Sequence, residues 1–205
     1  MKEYEQLYIK RHVVLERRIL YEDDELVFQR ASDYPVSDFF QELYRFLGIN
    51  YPRFFKMDML SKTLFLASEA LLKDSGLPTQ NGNSQVALVF YNRHASLHTD
   101  LQFQATIVSN SFFPSPSLFI YTLPNMALGE VAIRHKWMGE NCTFMAPFFD
   151  AGHCVDYVSG IIKGGYNYVL CGWFDFMDDK EEADIYIVSK EKTEQIFNIK
   201  NLEKR

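Results

Sequence analysis

The chain holds three thiols and five imidazoles that could do chemistry. Cys142, Cys154 and Cys171 are odd in number and form no CxxC pair, so neither a disulfide framework nor a zinc ribbon is expected. A thiol or hydroxyl becomes a nucleophile only beside a base. Cys142, Cys154 or Ser159 working with His153 is the constellation that would serve an acyltransferase or a thioesterase. Against it, a thiol in a strand or inside a helix gains nothing from a helix N-terminus and titrates high, and Cys171 reads as a core residue. His94 and His98 stand four apart with Asp100 nearby, a spacing two metal ligands on a helix would have. Without a third ligand they read as capping or solvated histidines, and no metal or cofactor is expected. His135 and His153 have no partner in the sequence, and His12 is expected on the exposed face of a strand.

The elements that would position these residues follow from periodicity. Residues 10–30 read as two strands around the acidic turn Glu22-Asp23-Asp24. Ser37 or Asp38 can cap a helix that Gly48 stops. Asp58 can cap a second, with Leu60, Leu64, Ala67, Leu71 and Leu72 at helical spacing and Gly76 and Pro78 at its end. After Asn81-Gly82-Asn83-Ser84, residues 85–91 form an apolar run typical of a strand buried on both faces. A helix over about 96–108, a proline-broken loop at Phe113-Pro114-Ser115-Pro116 and a helix from Asn125 to Trp137 come next. The order closes with a strand at 142–146, a helix at 149–163, strands at 167–173 and 183–188, and a charged tail over about 190–205. Strands spaced by single helices predict an α/β fold, a layered mixed β-sheet with helices on both faces. No linker-like stretch divides the chain, so one domain over 1–205 is expected.

Composition narrows the function classes. The 205 residues are 47% hydrophobic and 23% charged, which a packed globular chain needs and a disordered one lacks. A formal net charge of −6 argues against nucleic acid, whose binders need a basic stripe. Neither a signal peptide nor a run of about 20 apolar residues is present, so a cytoplasmic protein without a membrane span is expected. The triplet Asn141-Cys142-Thr143 reads as chance in such a setting.

One stretch carries a resemblance. Phe113-Pro114-Ser115-Pro116 is followed by Thr122-Leu123-Pro124-Asn125, Gly129-Glu130-Val131-Ala132-Ile133 and Gly139, then strand, tight turn and helix, then Leu170-Cys171-Gly172-Trp173-Phe174-Asp175. With Phe55-Lys56-Met57-Asp58 and Ser61-Lys62 before it, this order over roughly 50–190 resembles the N-terminal half of the β-ketoacyl synthases, thiolase-fold condensing enzymes. The resemblance implies a thiolase-like half and a cysteine nucleophile at a sharp strand-to-helix turn. Aligned without gaps from Asn125, that cysteine falls on Phe148 in Ala146-Pro147-Phe148-Phe149-Asp150-Ala151-Gly152. A phenyl ring cannot be acylated. The family's two catalytic histidines and lysine belong to a C-terminal half not found among residues 189–205.

What the resemblance implies is therefore a non-catalytic accessory protein, similar in spirit to a chain-length factor, in fatty-acid, polyene or polyketide biosynthesis. In the family the strand before the turn pairs across a two-fold axis, so Cys142, Thr143, Phe144, Met145 and Ala146 are the expected interface of a homodimer or a heterodimer with a ketosynthase. A purely structural homodimer is the remaining alternative. Lys62, Arg134, Lys136 and Lys163 are candidates for docking an acyl carrier protein. Helix 149–163 should show Cys154, Val155, Val158, Ile161 and Ile162 on one face and His153, Asp156, Tyr157, Gly160 and Lys163 on the other, the latter meeting water or a polar partner. Phe148 and Phe149 are expected to fill acyl-chain space, and Phe54, Phe55, Phe112 and Phe113 to be core.

Overall fold

A computed structural model describes residues 6–77, 85–108, 111–112 and 114–203. In chain order the elements are β1 (Tyr8–Glu16), β2 (Ile19–Glu22), β3 (Glu25–Gln29), α1 (Val36–Phe46), α2 (Met59–Leu72), β4 (Val86–Asn92), α3 (Leu97–Ala105), β5 (Ile107–Val108) and β6 (Ser111–Phe112). They continue with α4 (Pro116–Ile120), α5 (Met126–His135), β7 (Asn141–Met145), α6 (Ala151–Lys163), β8 (Tyr168–Met177), β9 (Lys180–Ser189) and α7 (Ile199–Leu202).

Seven strands form one mixed sheet in the order β3-β2-β1-β9-β8-β4-β7. β4 runs parallel to β7 and β8, and the rest of the sheet is antiparallel. Every side chain of β4 is buried, as a strand covered on both faces requires. One face carries α1, α2 and α5 over a core that includes Leu64, Phe65, Leu128, Leu170 and Ile187. The other carries α6 and α7 over Val89, Tyr91, Cys154, Val158, Val188 and Leu202. Helix α2 is apolar on nearly all sides because it lies between α1, α5 and the sheet. Asp58 caps it, its carboxylate accepting from the Ser61 N–H at 2.9 Å.

Two motif glycines have steric reasons to be glycine. A Cβ on Gly139 would collide with the carbonyl oxygen of Val86 at the start of β4. Gly172, at φ +140°, lies where a Cβ would strike the Asp184 carbonyl of β9.

Several expectations are corrected. Residues 10–30 hold parts of three strands, because Arg17 and Arg18 at φ 51° and 65° make a tight hairpin turn that contains neither Gly nor Asn. Helix α1 starts at Val36 after Pro35, without a side-chain cap from Ser37 or Asp38. The helix expected over 96–108 ends at Ala105 and gives way to β5. The proline-broken loop becomes α4, with Ser115 as its cap and Pro116 at its first position. The tail is not simply charged solvent-facing chain: Phe197 and Leu202 are buried, and α7 joins the α6 core. His12 is buried at 1% exposure, stacked on Tyr186 and 2.6 Å from Asp184, because β9 covers its strand. Phe54 is core, but Phe55 is exposed. Pro78, residues 81–84 and Phe113 lie outside the described residues.

Candidate functional site

The carboxyl ends of the parallel strands β4, β7 and β8 come together, the place where open α/β sheets carry their sites. Beyond β7 the chain turns through 146–150 into α6. The Ala146 N–H donates to the Asn92 carbonyl at 2.9 Å, and Arg93 Nε donates to the Pro147 carbonyl at 2.8 Å. The Arg93 guanidinium also lies 5.6 Å from the Trp173 ring centre. These contacts fix the turn against the ends of β4 and β8.

Phe148 is on this turn and 64% exposed, so it fills no interior space, contrary to expectation. Phe149 does pack inward, edge-on to Tyr91 at 5.3 Å. Asp150 caps α6 and accepts from the His153 N–H at 2.9 Å. A carboxylate therefore already occupies the positive end of the helix, where a thiolate or an oxyanion would have to sit.

Among the described residues no hydrogen bond joins Cys142, Cys154 or Ser159 to His153. His153 Nδ1 meets the Tyr91 hydroxyl at 2.7 Å. Burial raises the Tyr91 pKa, so the hydroxyl stays protonated, and the Nδ1 side of the imidazole is taken up by this hydrogen bond. The His153 ring packs on Phe144 and Tyr157. Cys154 is fully buried and faces Cys171, whose thiol burial pushes well above its ordinary range, with the Cys154 contact adding to the effect. The Ser159 hydroxyl donates to its own helix at the Val155 carbonyl, 2.6 Å away. Cys142 is half-buried on β7 and contacts the Tyr157 hydroxyl, which donates to Glu140 at 2.8 Å.

His94 and His98 do not share a helix: His94 lies in the turn before α3. Its Nδ1 is 2.5 Å from Asp175 Oδ2, while the buried Asp175 carboxylate also accepts from the His94 N–H and from Asn92 Nδ2, both at 3.1 Å. This junction was missed in the sequence; Asp175 closing a motif strand, two strand ends from Asn92, was its available signal. His98 packs on Phe176. Among the described residues no cluster of three or more His, Cys, Asp or Glu could hold a metal ion. His135, without an evident sequence partner, is 2.8 Å from Glu69.

The five predicted interface residues lie together on β7 and the residue that follows it. Among the described residues β7 is the last strand of the sheet and pairs only with β4. The Ala146 N–H and the Glu140 carbonyl both bond toward β4, so the period of two aims the backbone groups of Asn141, Thr143 and Met145 away from it. The other sheet edge, β3, is guarded by Glu25, by the flanking Asp23 and Asp24, and by a register shift against β2. β7 has no charge, no proline and no bulge. Of the basic candidates, Arg134 and Lys136 line one cleft with Lys73 and Glu69, whereas Lys62 lies over the Phe54 ring and Lys163 ends α6 on the opposite face.

No family model matches the chain, and no curated protein matches its sequence. Solved structures do match. The ishigamide ketosynthase/chain length factor aligns at TM-score 0.66 and 17% identity, over 93% of this chain and 64% of that one. The ketosynthase ApeO in complex with its chain length factor ApeC, from Xenorhabdus doucetiae, aligns at 0.59 and 13%, over 90% and 79%. A type II polyketide synthase acyl-carrier protein in complex with its hexaketide-bound ketosynthase, AntDE:AntF, aligns at 0.61 and 13%, over 92% and 63%. The fold is thus the thiolase-like one of ketosynthases and chain length factors, as the motif order implied. This chain spans 64% of the first neighbour's length.

Proposed function

We propose that this chain is a ketosynthase-like accessory subunit that performs no condensation itself and pairs through β7 with an active ketosynthase in fatty-acid, polyene or polyketide synthesis. The observation that carries the reading is the uncharged open edge of β7, running into a turn that presents Phe148 and a carboxylate-capped helix. In this reading Phe148 stands where condensing enzymes carry their cysteine. The neighbours' own descriptions, a ketosynthase with a chain length factor or a carrier protein, favour a heterodimer over a homodimer. Direct carrier-protein docking is less well supported. Lys73, Arg134 and Lys136 stand at the C-terminal ends of α2 and α5, where cations offset the helix dipoles.

The test is co-expression of the tagged chain with the ketosynthase encoded nearest to its gene, followed by incubation with an acyl-CoA and intact-mass measurement. A one-to-one assembly with the acyl group on the ketosynthase alone is expected. An adduct on this chain, or a ketosynthase that leaves it behind, contradicts the proposal.

A further inference from the structure

Helices α3 and α4 leave Leu97, Leu101, Phe119 and Ile120 exposed, and Leu123 just beyond α4 is exposed too. Of α3 only Thr99 is buried, and α4 buries no residue. Such short helices are marginal without a packed face, and single exposed apolar side chains are ordinary, whereas five on two short helices that pack on each other and the turn beyond them are not.

The lobe is held in place by polar anchors. Thr99 Oγ1 donates to Asp58 at 2.7 Å, Ser96 Oγ donates to the Thr122 carbonyl at 2.9 Å, and His94 is locked to Asp175 just before α3. Its apolar side chains are left pointing outward, and it begins four residues after Arg93, which bonds the turn below Phe148. In a chain that is 23% charged, Asp100 is the one charged residue from Leu97 to Leu123. Depletion of charge marks the centre of protein interfaces. A membrane-binding helix would instead carry Lys or Arg beside its apolar face, and this stretch carries neither.

Area supplies the last step. Five residues of strand pairing cover far less than the roughly 1,200–2,000 Å² of a stable interface, so a chain bound at β7 needs more apolar contact close by. We infer that the α3–α4 lobe is the second half of that interface and seats against the same ketosynthase. The inference rests on the reading above and adds to it a surface outside the strand edge.

The test uses the full chain and that ketosynthase, with Phe119→Glu and Leu123→Glu made singly. Both side chains are exposed, so the thermal midpoint should stay within a few degrees of wild type. The dissociation constant should rise at least about thirtyfold for each, with Phe119→Tyr restoring it. In the wild-type chain, amide exchange over 97–123 should slow when the ketosynthase is added, a readout that does not need either variant to fold. Unchanged affinity in both variants, or unchanged exchange in a formed complex, overturns this inference and leaves β7 pairing standing. A wild-type chain that binds no ketosynthase, alone or as a homodimer, overturns the inference and the proposed function together.

Discussion

The Asp150 carboxylate sits where the α6 dipole would otherwise stabilise a reactive anion, and the thiols nearest to it are engaged in packing. Reactivity should follow burial. Iodoacetamide at pH 8 is expected to label Cys142 in the native protein, and Cys154 and Cys171 only after denaturation, by peptide mass spectrometry. Rapid native labelling of Cys154 would mean that the α6 core opens. A second residue-scale outcome concerns Glu69. Burial pushes its carboxyl up, but the His135 hydrogen bond and the charges of His135 and Arg134 outweigh that and hold the pKa below its ordinary 4.5. A lowered carboxylate pKa stabilises the fold above the unfolded value and loses that contribution as pH falls through the folded one. Glu69→Gln should therefore lower the thermal midpoint at pH 7, and by progressively less as the pH is taken below 4.5. An equal loss at every pH would assign the effect to packing.

At the scale of elements, the hairpins record where local strain is tolerated. Arg17 is exposed at φ 51°, and a β-carbon in that region costs about 1–2 kcal/mol. Arg17→Gly is expected to stabilise the chain by about 1 kcal/mol in urea unfolding; a loss would mean that the arginine side chain holds the turn. The same hairpin shows what the sequence hides. A two-residue turn without Gly or Asn gives no signal, so β1 and β2 read as one strand, and His12 was judged without β9 beside it. By contrast α2, β4, β7 and α6 were legible, since cap residues and strong periodicity mark them. The candidate edge followed from the resemblance, in which the strand before the turn pairs across a two-fold axis, and the uncharged run at 142–146 agreed with it. Asp175 meeting His94 was not, because that contact joins residues 81 apart in the chain. Thr143→Pro removes one outward-facing N–H and spares the bonds to β4. It should unfold near the wild-type midpoint and fail to co-purify with the ketosynthase; full co-purification would place the contact elsewhere.

For the whole molecule, the contrast between the two sheet edges is the organising feature. β3 is charged and irregular, whereas β7 is plain, ends in exposed Met145 and leads into exposed Phe148. On the reading proposed above, that edge is what binds the partner, and the turn beside it, Ala146-Pro147-Phe148-Phe149-Asp150, carries no thiol. Hydrogen exchange of the peptide spanning 141–148 tests this most directly, measured with and without the neighbouring ketosynthase. The account predicts that the amides of Thr143 and Met145 exchange quickly in the free chain and slow markedly in the complex. Equal rates in the two states, with the complex formed, would contradict it.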